Sequence, residues 1–329
     1  MTGAVLGVGV VGLGAMGAAH VATLTDHVPG ARVVAVHDAA PGRAAEVARS
    51  VGARVVAGAE ELVASDDVAA VVVASPDDTH AALTLACVAA GKPVLCEKPL
   101  GVGPAESARV LAAEEAAGRP LVSVGFMRRF DPGYAELRAA VRGGRVGDVR
   151  LVHNVHRNAA PHPSATTAAV VANSMVHELD VLPWLTGLPV TAVEVRSPVR
   201  EGLRDPQLAV VELGGGQVLA TVEVFLGAGY GYDVRCEVVG SRGTASLRAP
   251  DHLELAADGR RGVAVPADFR DRFAAAYREE LRAWVAAAAR GATAGASARD
   301  GHRANLAAAA GVESLRTGRP VAVPDGSGT

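Results

Sequence analysis

Apolar residues fall in two textures along this chain. Up to about residue 125 they form short unbroken runs: 5–11, "RVVAV" at 32–36, "AAVVVA" at 69–74, "PVLC" at 93–96 and "PLVSVGF" at 120–126. Alanine-rich stretches of helical length separate them. A run that is apolar at every position predicts a strand buried on both faces, and strands alternating with helices predict a parallel, doubly wound sheet. Beyond residue 148 the texture changes to alternation, in "DVRLVHNVHRN" (148–158), "VTAVEVRSPV" (190–199), "QLAVVELGGGQVLATVEVFL" (207–226) and "YDVRCEVVGSRGTASL" (232–247). Alternation predicts a largely antiparallel, open sheet with one solvated face. "RFAAAYREELRAWVAAAARG" and "GHRANLAAAAGVESLRTG" predict closing helices, and "RPVAV" a last strand. The expected fold is α/β: an N-terminal Rossmann domain over 1–124 and a C-terminal α/β domain over 125–329. A length of 329 residues suits two cores better than one.

Composition narrows the partners. The net charge of −3 gives no basic excess, which argues against nucleic acid. Cys87, Cys96 and Cys236 are odd in number and widely spaced, which fits a reducing cytoplasm and no disulfide framework. Residues 1–25 lack Lys, Arg, Asp and Glu, but six glycines interrupt them and they include no positive n-region. They read as folded structure rather than a targeting or membrane segment. Of 32 basic residues only Lys92 and Lys98 are lysines. In so arginine-rich a chain, a retained lysine marks a place where a compact ammonium is needed.

Gly12-Leu13-Gly14-Ala15-Met16-Gly17 follows the first strand and opens a helix, and Asp38 ends the next strand. That is the context of a dinucleotide site: a tight turn at Gly12, room for a pyrophosphate at Gly14, close helix packing at Gly17, and a carboxylate for ribose hydroxyls. Asp38 favours NAD over NADP, with Arg43 close enough to temper the preference. "CEKPLG" places Lys98 at the carboxyl edge of a predicted strand, where ligands bind in such sheets. In "NSMVHELDVLPW", helical spacing lines up Asn173, His177, Asp180 and Trp184. "HELD" lacks the second histidine of HExxH, so no metal is expected.

These residues, with "ASPDDTH", "GKPVLCEKPL", "GFMRRFDPGY", "HNVHRN" and "YDVRCEVVG", carry a resemblance to the Gfo/Idh/MocA oxidoreductase family, nearest its inositol 2-dehydrogenase branch. The resemblance implies Lys98 and His177 as the catalytic lysine and histidine and Asp180 as a substrate ligand. It also implies a homo-oligomer, dimer or tetramer, built on the open sheet. The expected reaction is hydride transfer between a secondary alcohol of a polyol or sugar and NAD. His177 would take the hydroxyl proton and Lys98 would stabilise the forming alkoxide. The cofactor set is Gly12, Leu13, Gly14, Ala15, Met16, Gly17, Asp38, Arg43, Ser75, Pro76, His80, Glu97 and Lys98. Arg128, His156, Asn158, Asp180 and Tyr232 are the expected substrate ligands. One departure stands out: the branch usually has Asp four residues before the histidine, and this chain has Asn173. An amide can orient the imidazole but not supply charge, which predicts a lower histidine pKa, or a different substrate such as an amino- or keto-cyclitol. Pro183 is a second departure, expected to cost a helix hydrogen bond and to make the place of Trp184 on the stripe doubtful. Competing readings are a sugar or aminocyclitol dehydrogenase or ketoreductase, an NAD-dependent glycosidase of the same superfamily, and a non-catalytic dinucleotide sensor.

Overall fold

The computed structural model describes residues 5–247, 254–257 and 259–326. They form two compact units, one of the residues up to Phe130 with Ala276–Asn305, the other of Asp131–Ala275 with the residues from Leu306 on. The sequence-based division at 124/125 left 276–305 in the second domain; in the structure those residues group with the first unit.

The first unit is a seven-stranded sheet of β1 (Leu6–Val11), β2 (Ala31–His37), β3 (Arg54–Val55), β4 (Ala70–Val73), β5 (Val94–Glu97), β6 (Val122–Gly125) and β15 (Ala296–Ser297). The order is β15-β6-β5-β4-β1-β2-β3, parallel throughout except for β15. Helices α1 (Ala15–His27), α2 (Pro41–Val51), α3 (Ala59–Ala64), α4 (Asp77–Ala89) and α5 (Pro104–Ala116) make the crossovers. Strand order reverses between β1 and β4, so the crevice beyond their carboxyl ends is where such a sheet takes a ligand. Leu281, Trp284 and Val285 of α9 (Phe269–Ala288) complete the core around Val8, Val10 and Leu24.

The second unit begins at α6 (Pro132–Arg142), whose Asp131 cap accepts the Tyr134 N–H at 3.1 Å. Its sheet runs β12-β11-β7-β10-β9-β8-β16, comprising β7 (Val149–Arg157), β8 (Val190–Arg196), β9 (Gln207–Leu213), β10 (Val218–Phe225), β11 (Asp233–Gly240), β12 (Gly243–Ser246) and β16 (Val321–Ala322). Only the β7–β10 pair is parallel. Alternate residues of β9 and β10 are buried, so one face packs and the other is open, as the alternation predicts. A hairpin of β13 (Glu254–Ala257) and β14 (Arg260–Val263) was not foreseen. The short turn α7 (Thr167–Ala169) leads into a π-helical stretch, Val170–Met175, and then α8 (Val176–Thr186). Helix α10 (Ala298–Thr317) runs across the division between the units, as α9 does. Among the described residues no helix is long and apolar enough to cross a membrane.

The π stretch corrects one expectation. Residues 173–184 are not one α-helix: Asn173 lies in the wider turn, where bonds run i→i+5, so it is not one α-helical turn before His177. The expected stripe is broken at its other end too. The Trp184 ring stacks on the Arg138 guanidinium at 4.6 Å, and its carbonyl accepts from Arg138 Nε at 3.1 Å. Pro183 is accommodated inside α8, which continues to a left-handed Gly187.

Candidate active site

The first unit offers a cradle made of backbone. Gly12 has φ +84, and a Cβ there would lie 2.4 Å from Ser75 Cα. A Cβ on Gly17 would lie 1.8 Å from the Gly12 carbonyl oxygen, so the first turn of α1 can seat against the loop only with glycine. At Gly14 nothing lies within 4 Å. The open space, with no side chain capping α1, leaves the first-turn N–H groups of Ala15, Met16 and Gly17 for an anion. Leu13 is committed elsewhere: its N–H donates to Asp38 Oδ2 at 2.7 Å, and its carbonyl accepts from Arg43 Nε. Asp38 Oδ1 accepts the Ala40 N–H at 2.8 Å. A carboxylate has about four acceptor positions, so Asp38 retains capacity for two ribose hydroxyls. A cavity of about 690 Å³ is lined by Gly12, Gly14, Asp38, Ser75, Pro76 and Thr79. Its place at the strand ends, with Gly14 and the Asp38 carboxylate on its wall, fits a dinucleotide.

Lys98 follows β5, and its backbone N–H donates to Glu97 Oε2 at 3.3 Å. The Lys98–Pro99 peptide is cis. Glu97 is buried, and its Oε1 sits 2.8 Å from His20 Nε2, whose ring meets Tyr277 edge-on at 5.9 Å. Burial pushes the Glu97 carboxyl up, but the His20 hydrogen bond and the charges of His20, Lys98 and His80 outweigh it and hold the group below the ordinary carboxylate range. The motif glutamate is therefore a buried anion beside Lys98. His20 escaped the sequence reading; its only signal was a histidine in an otherwise apolar helix face. Lys92 is spent structurally, donating Nζ to the Ser65 carbonyl at 2.7 Å. Arg128 belongs to this unit, in the 3₁₀ turn Met127–Phe130, and is 1% exposed.

In the second unit α8 packs on β7, and alternate β7 residues Val152, Asn154 and His156 point inward. His156 is held from two sides, with Nδ1 3.3 Å from Glu178 Oε1 and Nε2 3.3 Å from the Tyr232 hydroxyl. The His177 ring meets His156 edge-on with centroids 6.3 Å apart, and Tyr232 meets His156 at 5.6 Å. His177, Glu178 and Asp180 are all buried. The structure thus gathers His156, His177 and Tyr232 into one cluster, with Glu178 as the member that sequence reasoning missed. Glu178 lies inside "HELD", where spacing alone gives no sign of its role. Its fully buried position behind His156 is what marks it. Asn158 follows β7, and its Oδ1 is buried with no hydrogen-bond donor among the described residues.

Both halves of the chain match family models, described as "Oxidoreductase family, NAD-binding Rossmann fold" over residues 6–126 and "Oxidoreductase family, C-terminal alpha/beta domain" over 138–323. The chain belongs to the Gfo/Idh/MocA oxidoreductase family. Among relatives in the family, it is 52% identical to inositol 2-dehydrogenase 1 of Saccharopolyspora erythraea, over 96% of each chain. It is 40% identical to an inositol 2-dehydrogenase of Burkholderia ambifaria over 97% of each. Among solved structures it is similar to myo-inositol dehydrogenase of Lactobacillus casei in complex with NAD(H) and myo-inositol. That match has a TM-score of 0.94 and 32% identity, covering 99% of this chain and 98% of the other.

Proposed function

We propose that this oxidoreductase is an NAD-dependent cyclitol dehydrogenase that oxidises a secondary alcohol of an inositol-like polyol. What carries the reading is the 52% identity, over nearly the full length of both chains, to an inositol 2-dehydrogenase. The cradle and the polar cluster described above support it. Bound in the cradle, NAD supplies a nicotinamide ring that accepts hydride. The protein's part is to hold and move the proton. Lys98 donates a hydrogen bond to the substrate oxygen and stabilises its alkoxide character. His177 takes the hydroxyl proton on a ring nitrogen; an imidazole works near neutral pH without a large shift. Asp180, Arg128, His156, Asn158 and Tyr232 are assigned to the other hydroxyls, with Glu178 holding the His156 ring. A polyol is distinguished from its isomers when such buried groups would otherwise go unpaired. Leu208, Val210 and Leu219 lie exposed on the open sheet face, which supports assembly with further copies of the chain.

The test is NADH absorbance with the purified protein, NAD or NADP, and a panel of inositols, aminocyclitols, aldoses and glycosides. An inositol isomer with NAD is expected to give the highest kcat/KM. Net hydrolysis of a glycoside with no NADH accumulating would sink the dehydrogenase reading.

A further inference from the structure

His80 lies in the first turn of α4, inside the "ASPDDTH" motif, and is 1% exposed. Its Nδ1 lies 2.7 Å from the Pro99 carbonyl oxygen and its Nε2 lies 2.9 Å from the Ser75 carbonyl oxygen. A peptide carbonyl can only accept. Neutral imidazole has one N–H and one lone pair, so either tautomer would set a lone pair against a lone pair at one of these contacts. Both distances are those of N–H···O=C bonds. We propose that His80 is a buried imidazolium whose two N–H groups tie the loop at Ser75 to the loop at Pro99, making it a positioning residue for Lys98 and for the wall of the dinucleotide cavity. The positioning part rests on the dehydrogenase reading above; the protonation does not.

The surroundings agree. Burial pushes the imidazole pKa down, but the Cys96 sulfur and the two carbonyls outweigh it and raise it to about 10. Ionisable groups on the elements flanking the ring include Cys96 and Glu97 on β5, Lys98 just beyond it, and Asp77 and Asp78 in the ring's own helical turn; β4 is wholly aliphatic. The His80 charge is one of the causes that lower the Glu97 pKa. The two loops are those that matter most for the proposed chemistry. Ser75 stands against Gly12 in the cradle, and Pro99 follows Lys98 directly. With both ring nitrogens spent on backbone, His80 acts on a dinucleotide through the loops rather than by contact.

Neutron diffraction from deuterated crystals of the NAD-bound protein at pH 8 reads the protonation without any variant. Deuterons on both ring nitrogens are expected; a single deuteron overturns the proposal. For positioning, His80→Gln is expected to lower kcat with the best cyclitol by tenfold or more while the NAD dissociation constant moves less than threefold. His80→Lys, a cation with three donors, is expected to recover several-fold of that loss. An unchanged kcat in His80→Gln overturns the positioning role. Should His80→Gln fail to fold, a His80→Lys enzyme that folds yet turns over a hundredfold more slowly than wild type overturns it instead. A wild-type protein inert with every cyclitol removes the dehydrogenase reading and leaves the neutron result standing.

Discussion

The cradle of the first unit and the cluster of the second solve the same problem with different material. Around Gly12–Gly17 the chemistry is backbone: N–H groups at a helix start, carbonyls committed to neighbours, and space where side chains are missing. Around His156 and His177 the chemistry is side chain, and the His156 ring is held by Glu178 and Tyr232. Backbone geometry tolerates no intrusion but needs little support. Side-chain geometry tolerates some substitution but depends on a chain of partners. Damage should therefore differ in kind as well as in size.

The largest expected effect sets the two regions directly against each other. His177→Ala should lower kcat by about 10²–10⁴-fold, the range for loss of a general base, while leaving the NAD dissociation constant nearly unchanged. Gly17→Ala should do the reverse, destabilising the protein by about 1–3 kcal/mol, as overpacking does, and weakening NAD binding more than tenfold. Kinetics, isothermal titration and thermal melts on both variants check this. If Gly17→Ala binds NAD normally, the cradle is not where the dinucleotide sits.

A middle-sized effect is expected at Glu178→Gln. The substitution keeps an acceptor for His156 but removes the charge from a fully buried pair. A loss of about 1–3 kcal/mol, the cost of an undermatched buried polar group, should appear in the melt, with KM for the cyclitol rising more than KM for NAD. Equal rises in both would show that the pair serves the fold at large rather than the polyol.

Asn173→Asp should give the smallest shift. If the π turn still brings position 173 to His177, a carboxylate there raises the imidazole pKa and moves the acid limb of kcat/KM to higher pH. Because the base must be deprotonated, the variant is slower below neutrality and matches wild type above it. A pH profile that superimposes on wild type would place Asn173 outside the proton pathway.

The same contrast explains what the sequence could reveal. Gly12, Gly14, Gly17 and Asp38 were legible because a backbone site leaves a strict local spacing, and the unbroken apolar runs of β1, β4 and β5 placed it at strand ends. His20, Glu178 and Tyr232 act across 77, 22 and 76 residues of chain, in the pairs His20–Glu97, His156–Glu178 and His156–Tyr232. No periodicity encodes such pairs. Tyr232, Glu97 and His156 entered through their motifs, but His20 and Glu178, which hold two of them, did not. The π turn was hidden for another reason: nothing in "VVANSM" departs from helical composition, and the wider turn is a property of packing.

The division of the chain has a consequence for how it is made. Leu281, Trp284 and Val285 seal the core around β1 and β2, and β15 adds the edge strand beside β6. A ribosome must therefore deliver almost the whole polypeptide before the nucleotide-binding half can close. Until then its nascent sheet waits unsealed while the other half is synthesised, so a stop codon after residue 130 would release a fragment lacking its own lid rather than a smaller working module.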